Sequence, residues 1–142
     1  MLRIIAGGKK HSGCVQEAIQ EYEKRMQKPF LYDWVFTKED QLASKITGLQ
    51  PHDFLILLDE SGAELSSPEL SQTLTDQLAK CPNIIFLIGG AFGHFSPAIK
   101  SRANLTLSLS KMVFPHQICR LILAEQLYRA QEIAKGHPYH HS

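Results

Sequence analysis

Two stretches of this chain combine residue types that could hold a ligand. In the first, Ile84-Ile85-Phe86-Leu87-Ile88 empties into Gly89-Gly90-Ala91-Phe92-Gly93. Five apolar residues bounded by Pro82 and glycines read as a fully buried strand, and the glycines let backbone approach a ligand without Cβ interference. The end of such a strand is where open α/β sheets bind their ligands. The spacing fails the Gly-x-Gly-x-x-Gly dinucleotide pattern, so sheet-to-helix geometry alone is an equal explanation. In the second stretch, Leu107-Ser108-Leu109-Ser110-Lys111-Met112-Val113-Phe114-Pro115-His116, serines and backbone groups could bond a polar cofactor. Met112 and Phe114 could pack against a ring, and Pro115 sets the entry to a helix.

Other candidates are weaker. The basic turn Gly7-Gly8-Lys9-Lys10-His11 lacks the spacing of a phosphate loop and either touches RNA or is simply solvated. Asp59-Glu60 at a strand end could be a catalytic carboxylate pair, although an acidic turn closing the strand is the commoner arrangement. Cys14, Cys81 and Cys119 are odd in number and lack Cys-x-x-Cys spacing, which argues against a disulfide framework and a zinc site. No metal is expected.

The elements that must position these residues follow from periodicity. Leu2 to Ala6, Phe30 to Phe36, Phe54 to Leu58, Ile84 to Ile88 and Leu105 to Ser110 read as strands. Helices are predicted from Ser12 to before Pro29, around Leu42 to Ile46, after a Ser67 cap with Pro68 and Glu69, from Pro97 to about Ala103, and from His116 to about Lys135. The hydroxyl face of the 105–110 strand should look at something polar. The last helix carries Ile118, Leu121, Ile122, Leu123, Leu127 and Ile133, more apolar surface than one buried stripe needs. That implies a second partner surface, for which a homodimer interface is one use. Strands alternating with helices indicate an α/β fold with a mainly parallel sheet.

With 142 residues, 44% of them hydrophobic, the chain is expected to form one domain over residues 1–142. No apolar run is long enough to span a bilayer, and the N-terminal stretch is broken too early for a signal peptide, which predicts a cytoplasmic protein. A net charge of +1 does not advertise nucleic-acid binding, although local clusters of Lys and Arg still could.

Taken together, Phe86 to Gly93, Leu107 to Gln117, Arg120, Glu125-Gln126-Leu127-Tyr128-Arg129-Ala130 and His137-Pro138-Tyr139-His140 closely resemble the ribosomal RNA large subunit methyltransferase H family. The match is dense over residues 84 to 141, and the order of elements in the N-terminal half agrees with it. The resemblance implies a SPOUT-type fold with a mainly parallel sheet flanked by helices and a C-terminal trefoil knot, a homodimer, and S-adenosylmethionine as cofactor. It implies methylation of ring nitrogen 3 of a pseudouridine in large-subunit rRNA of the assembled ribosome. The family's cofactor positions fall on Leu58, Gly90, Leu109, Ser110, Lys111, Met112, Val113 and Phe114.

A sulfonium methyl is already electrophilic, so such an enzyme must mainly position the acceptor nitrogen and help remove its proton. Candidates for that work are Tyr139, His140 and Arg129, with His116 and Arg120 four apart on one helical face. His116 could instead cap its helix. Arg129 lies half a turn round from Arg120, so both could serve one site only across a dimer interface. The family usually ends in Tyr-His followed by Lys or Arg, whereas this chain ends Tyr139-His140-His141-Ser142. A non-catalytic ribosome-associated RNA-binding protein is the alternative reading.

Overall fold

The computed structural model describes residues 1–90 and 95–137. Its centre is a sheet of five parallel strands: β1 (Leu2–Gly7), β2 (Tyr32–Thr37), β3 (Phe54–Glu64), β4 (Ile84–Ile88) and β5 (Leu105–Ser108), in the order β2-β1-β4-β3-β5. The helices are α1 (Gly13–Glu23), α2 (Leu42–Thr47), α3 (Ser67–Lys80), α4 (Pro97–Arg102) and α5 (His116–Ala134).

Alternation along the strands divides the core in two. Leu2, Ile4, Ile56, Ile84, Phe86 and Ile88 face a layer that includes Leu70 and Leu74 of α3 and Leu123 and Leu127 of α5. Ile5, Leu55, Leu57, Ile85 and Leu87 face Leu42 and Ile46 of α2 and Ile99 of α4. The central strand β4 is buried at every position because helices cover both its faces.

Helix α1 ends at Glu23 and strand β5 at Ser108, both earlier than the sequence spacing predicts, and three further details differ. Helix α3 is capped by Ser66 rather than Ser67: the Ser66 hydroxyl accepts from Glu69 N at 3.2 Å while Glu69 Oε1 accepts from Ser66 N at 2.9 Å. That reciprocal pairing satisfies two helix-end donors, and it frees Ser67 to donate to Gln126 Oε1 of α5 at 2.7 Å. Strand β2 starts at Tyr32, leaving Phe30 as a buried plug outside the ladder.

The third difference bears on the site. Strand β3 does not stop at an acidic turn after Leu58 but runs on to Glu64. Leu58 and Ala63 both register against Leu107, so residues 59–62 bulge out of the ladder. Gly62 makes this possible, since a Cβ there would lie 2.5 Å from Thr106 O and 2.9 Å from Leu107 N.

Candidate functional site

Because all strands run the same way, the C-terminal ends of β3, β4 and β5 open on one edge of the sheet, where α/β folds bind ligands. A pocket of about 670 Å³ lies there. Leu58 from β3 and Ile88, Gly89 and Gly90 from the end of β4 form part of its lining. Leu109, Ser110, Met112, Val113 and Phe114, which connect β5 to α5, form another part, and His116 and Cys119 from the first turns of α5 also line it. Such a volume suits a ligand of nucleoside size or somewhat larger.

Local chemistry explains the shape. At Gly90 a Cβ would fall 1.9 Å from Glu39 Oε1 and 2.9 Å from Glu39 Cγ, and at Gly7 it would lie 2.9 Å from Gly90 N. Gly7 thus lets the end of β1 and the turn after β4 touch backbone to backbone, while Gly90 makes room for the Glu39 side chain. Past β5, Ser108 donates to Ser110 O at 2.8 Å, and Met112 N donates to the Ser110 hydroxyl at 3.0 Å. These bonds curl the segment before Pro115 and leave Met112 and Val113 72% and 76% exposed. The Ser108 hydroxyl, expected to look at something polar, is buried and finds it in the Ser110 carbonyl of this backbone turn.

The pocket's charge is acidic. Among the described lining residues, the formally charged ones are Asp59 and Glu60, carried to the rim by the bulge in β3. Burial pushes the Asp59 carboxyl up, but hydrogen bonds with Ser61 and Glu60, and the Lys100 charge, outweigh it and hold Asp59 below its usual range. Ser61 donates to Asp59 Oδ2 at 2.8 Å. The Cys119 thiol is pushed up, mainly by burial and then by Glu60. Two carboxylates facing a lining whose other described residues are uncharged favour a ligand with positive charge.

Seven of the eight expected cofactor positions, Leu58, Gly90, Leu109, Ser110, Met112, Val113 and Phe114, line this pocket. Lys111 does not: it points outward, with Nζ 3.9 Å from Glu64 Oε1. His116 also lines the pocket and is not the helix cap, the cap position being Pro115. Cys119, one turn on from His116 on the same helix face, is a lining residue the sequence reading missed. Its spacing from His116 was the available signal.

Of the proton-handling candidates, His116 lines the pocket, while Arg129 and Arg120 are not among its described lining residues. Arg129 is half-buried on α5 and bonds Glu125 Oε1 through Nη2 at 2.6 Å and Nε at 3.0 Å. Arg120 is fully buried, and its guanidinium donates to Lys9 O at 2.9 Å and Gly7 O at 3.1 Å, away from the pocket lining. Tyr139 and His140 lie outside the described residues, as do Ala91, Phe92 and Gly93. Among the described residues, no group of three His, Cys, Asp or Glu is placed to hold a metal ion, and no helix is long and apolar enough to cross a membrane.

Comparison with known proteins gives a consistent result. Residues 1–140 match the family model described as "Predicted SPOUT methyltransferase". Relatives named ribosomal RNA large subunit methyltransferase H include one from Cytophaga hutchinsonii, 41% identical over 99% of both chains. Another, from Parabacteroides distasonis, is 39% identical over 97% of both. Among solved structures, a Legionella pneumophila methyltransferase in complex with the bound cofactor SAM aligns over 94% of this chain and 66% of its own. At 15% identity and a TM-score of 0.47, that likeness carries no argument.

Proposed function

The chain belongs to the SPOUT methyltransferase family, and from that premise we propose that it methylates ring nitrogen 3 of a pseudouridine in large-subunit rRNA of the assembled ribosome. S-adenosylmethionine is the donor, held in the pocket between β3, β4 and the segment after β5. One observation carries this reading: a cavity of cofactor size at the ligand-binding edge of a parallel sheet, lined by Leu58, Gly90 and the Leu109 to Phe114 segment.

The residues fit such a cofactor. Leu58, Ile88 and Phe114 offer apolar surface to a purine, the backbone of the segment after β5 offers donors and acceptors to its edge, and Asp59 and Glu60 favour the cationic end. The cofactor supplies an electrophilic methyl group. The chain's own task is to orient the acceptor nitrogen and accept or disperse its charge, since a uracil-like imide is a weak acid. We assign that task to Tyr139, His140 and Arg129.

The protein acts as one domain, threaded at its C-terminal end as a trefoil knot, in a cytoplasmic homodimer. Support for the dimer is the apolar surface at the start of α5 and before it: Met112 and Val113 stand out, and Ile118 is 39% exposed.

Calorimetric titration with S-adenosylmethionine and transfer of labelled methyl groups to ribosomes test this reading. Binding and labelling are expected, with labelling reduced about a hundredfold or more in a Y139F/H140A double variant. Absence of cofactor binding would overturn the reading, binding without transfer would favour the non-catalytic alternative, and full activity of the double variant would remove the tail from the mechanism.

A further inference from the structure

Arg120 is the largest fully buried side chain in the described protein, and a buried guanidinium needs a reason. Among the described residues its hydrogen-bond partners are two backbone carbonyls, Lys9 O at 2.9 Å and Gly7 O at 3.1 Å, together with His11 Nδ1 at 3.4 Å, and not a carboxylate. Its guanidinium carbon also stands 5.4 Å from the centre of the Phe36 ring. The bonds converge on the last residue of β1 and the loop that leads from it to α1.

That loop reads Gly8-Lys9-Lys10-His11-Ser12. Gly8 takes a φ of 101°, which only glycine adopts freely, and turns the chain so that Lys9 and Lys10 stand exposed. His11 folds inward, its ring edge-on to Trp34 and Phe36 at 4.3 and 5.1 Å between centroids. The far end of the loop is pinned as well: Ser12 N donates to Gln117 Oε1 of α5 at 3.0 Å. Gln117 and Arg120 thus hold both ends of a five-residue basic loop, while His116 and Cys119 on the same turns of α5 line the cofactor pocket.

The geometry points to a division of labour that rests on the methyltransferase reading. We propose that the Gly8 to Ser12 loop is an arm that contacts phosphodiesters of the substrate rRNA through Lys9 and Lys10, and that Arg120, with Gln117, is the positioning residue that sets its posture. Arginine suits the work because its planar fork spans two carbonyls at once, which a lysine ammonium does less well. Arg120 therefore aids RNA recognition from inside the fold without touching the RNA. Anchoring the loop to the helix that also borders the pocket keeps the phosphate contacts in register with the methyl donor.

The test compares wild type, K9A/K10A, R120K, Q117A and the combination of Q117A with K9A/K10A. Each is assayed for S-adenosylmethionine affinity, for kcat and KM of ribosome methylation, and for salt dependence of ribosome binding by sedimentation. K9A/K10A is expected to lower the slope of log affinity against log salt by about 0.7–0.9 per lost phosphate contact and to raise KM about tenfold. R120K and Q117A should raise KM severalfold with kcat and cofactor affinity within about twofold of wild type. Adding Q117A to K9A/K10A should then change KM no further, because the arm it positions carries no charge.

A merely structural Arg120 would instead lower cofactor affinity and kcat, with effects that add to those of K9A/K10A. Wild-type KM and salt slope in K9A/K10A, or additive effects in the combination, would overturn the proposal while leaving the methyltransferase reading intact. Should R120K fail to fold, Q117A carries the same comparison. If wild type neither binds the cofactor nor labels ribosomes, the functional reading fails, and an unchanged salt slope in K9A/K10A would still sink the arm independently.

Discussion

Replacing Gly62 by alanine isolates the bulge that brings the acidic residues to the pocket. A Cβ at this position would meet Thr106 O at 2.5 Å, Thr106 C at 2.6 Å and Leu107 N at 2.9 Å, all of them backbone atoms of β5. An ordinary carbon–oxygen contact is roughly 3.3 Å or more, so β3 and β5 must part by about 0.8 Å. No rotamer change relieves this, and overpacking of that kind costs about 1–3 kcal/mol. With an unfolding entropy of about 2.1 cal/mol/K per residue, each kcal/mol in a chain of this length lowers the melting temperature by roughly 3 °C, giving an expected fall of about 3–10 °C. Strand β5 is an edge strand held by β3 alone, and it leads directly into the segment that lines the pocket, so affinity for S-adenosylmethionine should fall about tenfold or more. Gly13 provides the control. It opens α1, a Cβ there would meet nothing within 4 Å, and G13A should raise the melting temperature by about 1–3 °C through reduced unfolded-state entropy. Differential scanning calorimetry with and without the cofactor measures both. A G62A protein melting within about 1 °C of wild type and binding the cofactor normally would refute the close-approach argument.

His11 supplies a pH prediction. Burial, and then the Arg120 charge, push its pKa from 6.5 down to about 4, so the unfolded chain takes up a proton near pH 6.5 while the folded chain does not. Its contribution to stability is therefore complete above pH 6.5 and is lost as pH falls from there through about 4, on the order of 1 kcal/mol for a partly exposed ring. Urea unfolding across that range should show a shallower pH dependence in H11N, and an identical slope in the variant would contradict the assignment. At the pocket, E60Q removes one of the two carboxylates among the described lining residues and should reduce the preference for the cationic donor over its neutral thioether product by about threefold at low ionic strength. Competition binding of the two ligands measures this, and an unchanged ratio would mean that Glu60 lies too far from the sulfonium to matter.

Much of the molecule was legible in the residues themselves. The run Ile84 to Ile88 became β4 with those bounds because five consecutive apolar residues can be satisfied only where both sheet faces are covered. The last helix was predicted to within a residue, since its apolar spacing, the preceding Pro115 and the following Gly136 all mark the same limits. Most of the pocket lining was also anticipated, because short segments at strand ends carry it and their order resembles a known family. The acidic turn after Leu58 was misread for a physical reason: whether a strand ends or bulges depends on its neighbour, and the decisive contact is Gly62 against Thr106.

Residue types and their spacing thus dictated what is local and periodic: which stretches extend, which coil, where glycine frees the backbone, and which family the motifs resemble. The packing of the chain settled which strand ends meet, that Asp59 and Glu60 stand among the described residues at the pocket rim, and that Arg120 turns inward. That arginine bonds a carbonyl 113 positions away. A cation read along the helix looks like a group reaching for substrate, and it becomes an internal clamp only because the sheet brings the end of β1 beneath it. Pattern reports what a residue can do within a turn or two of its own backbone, whereas its partner across the fold decides what it does.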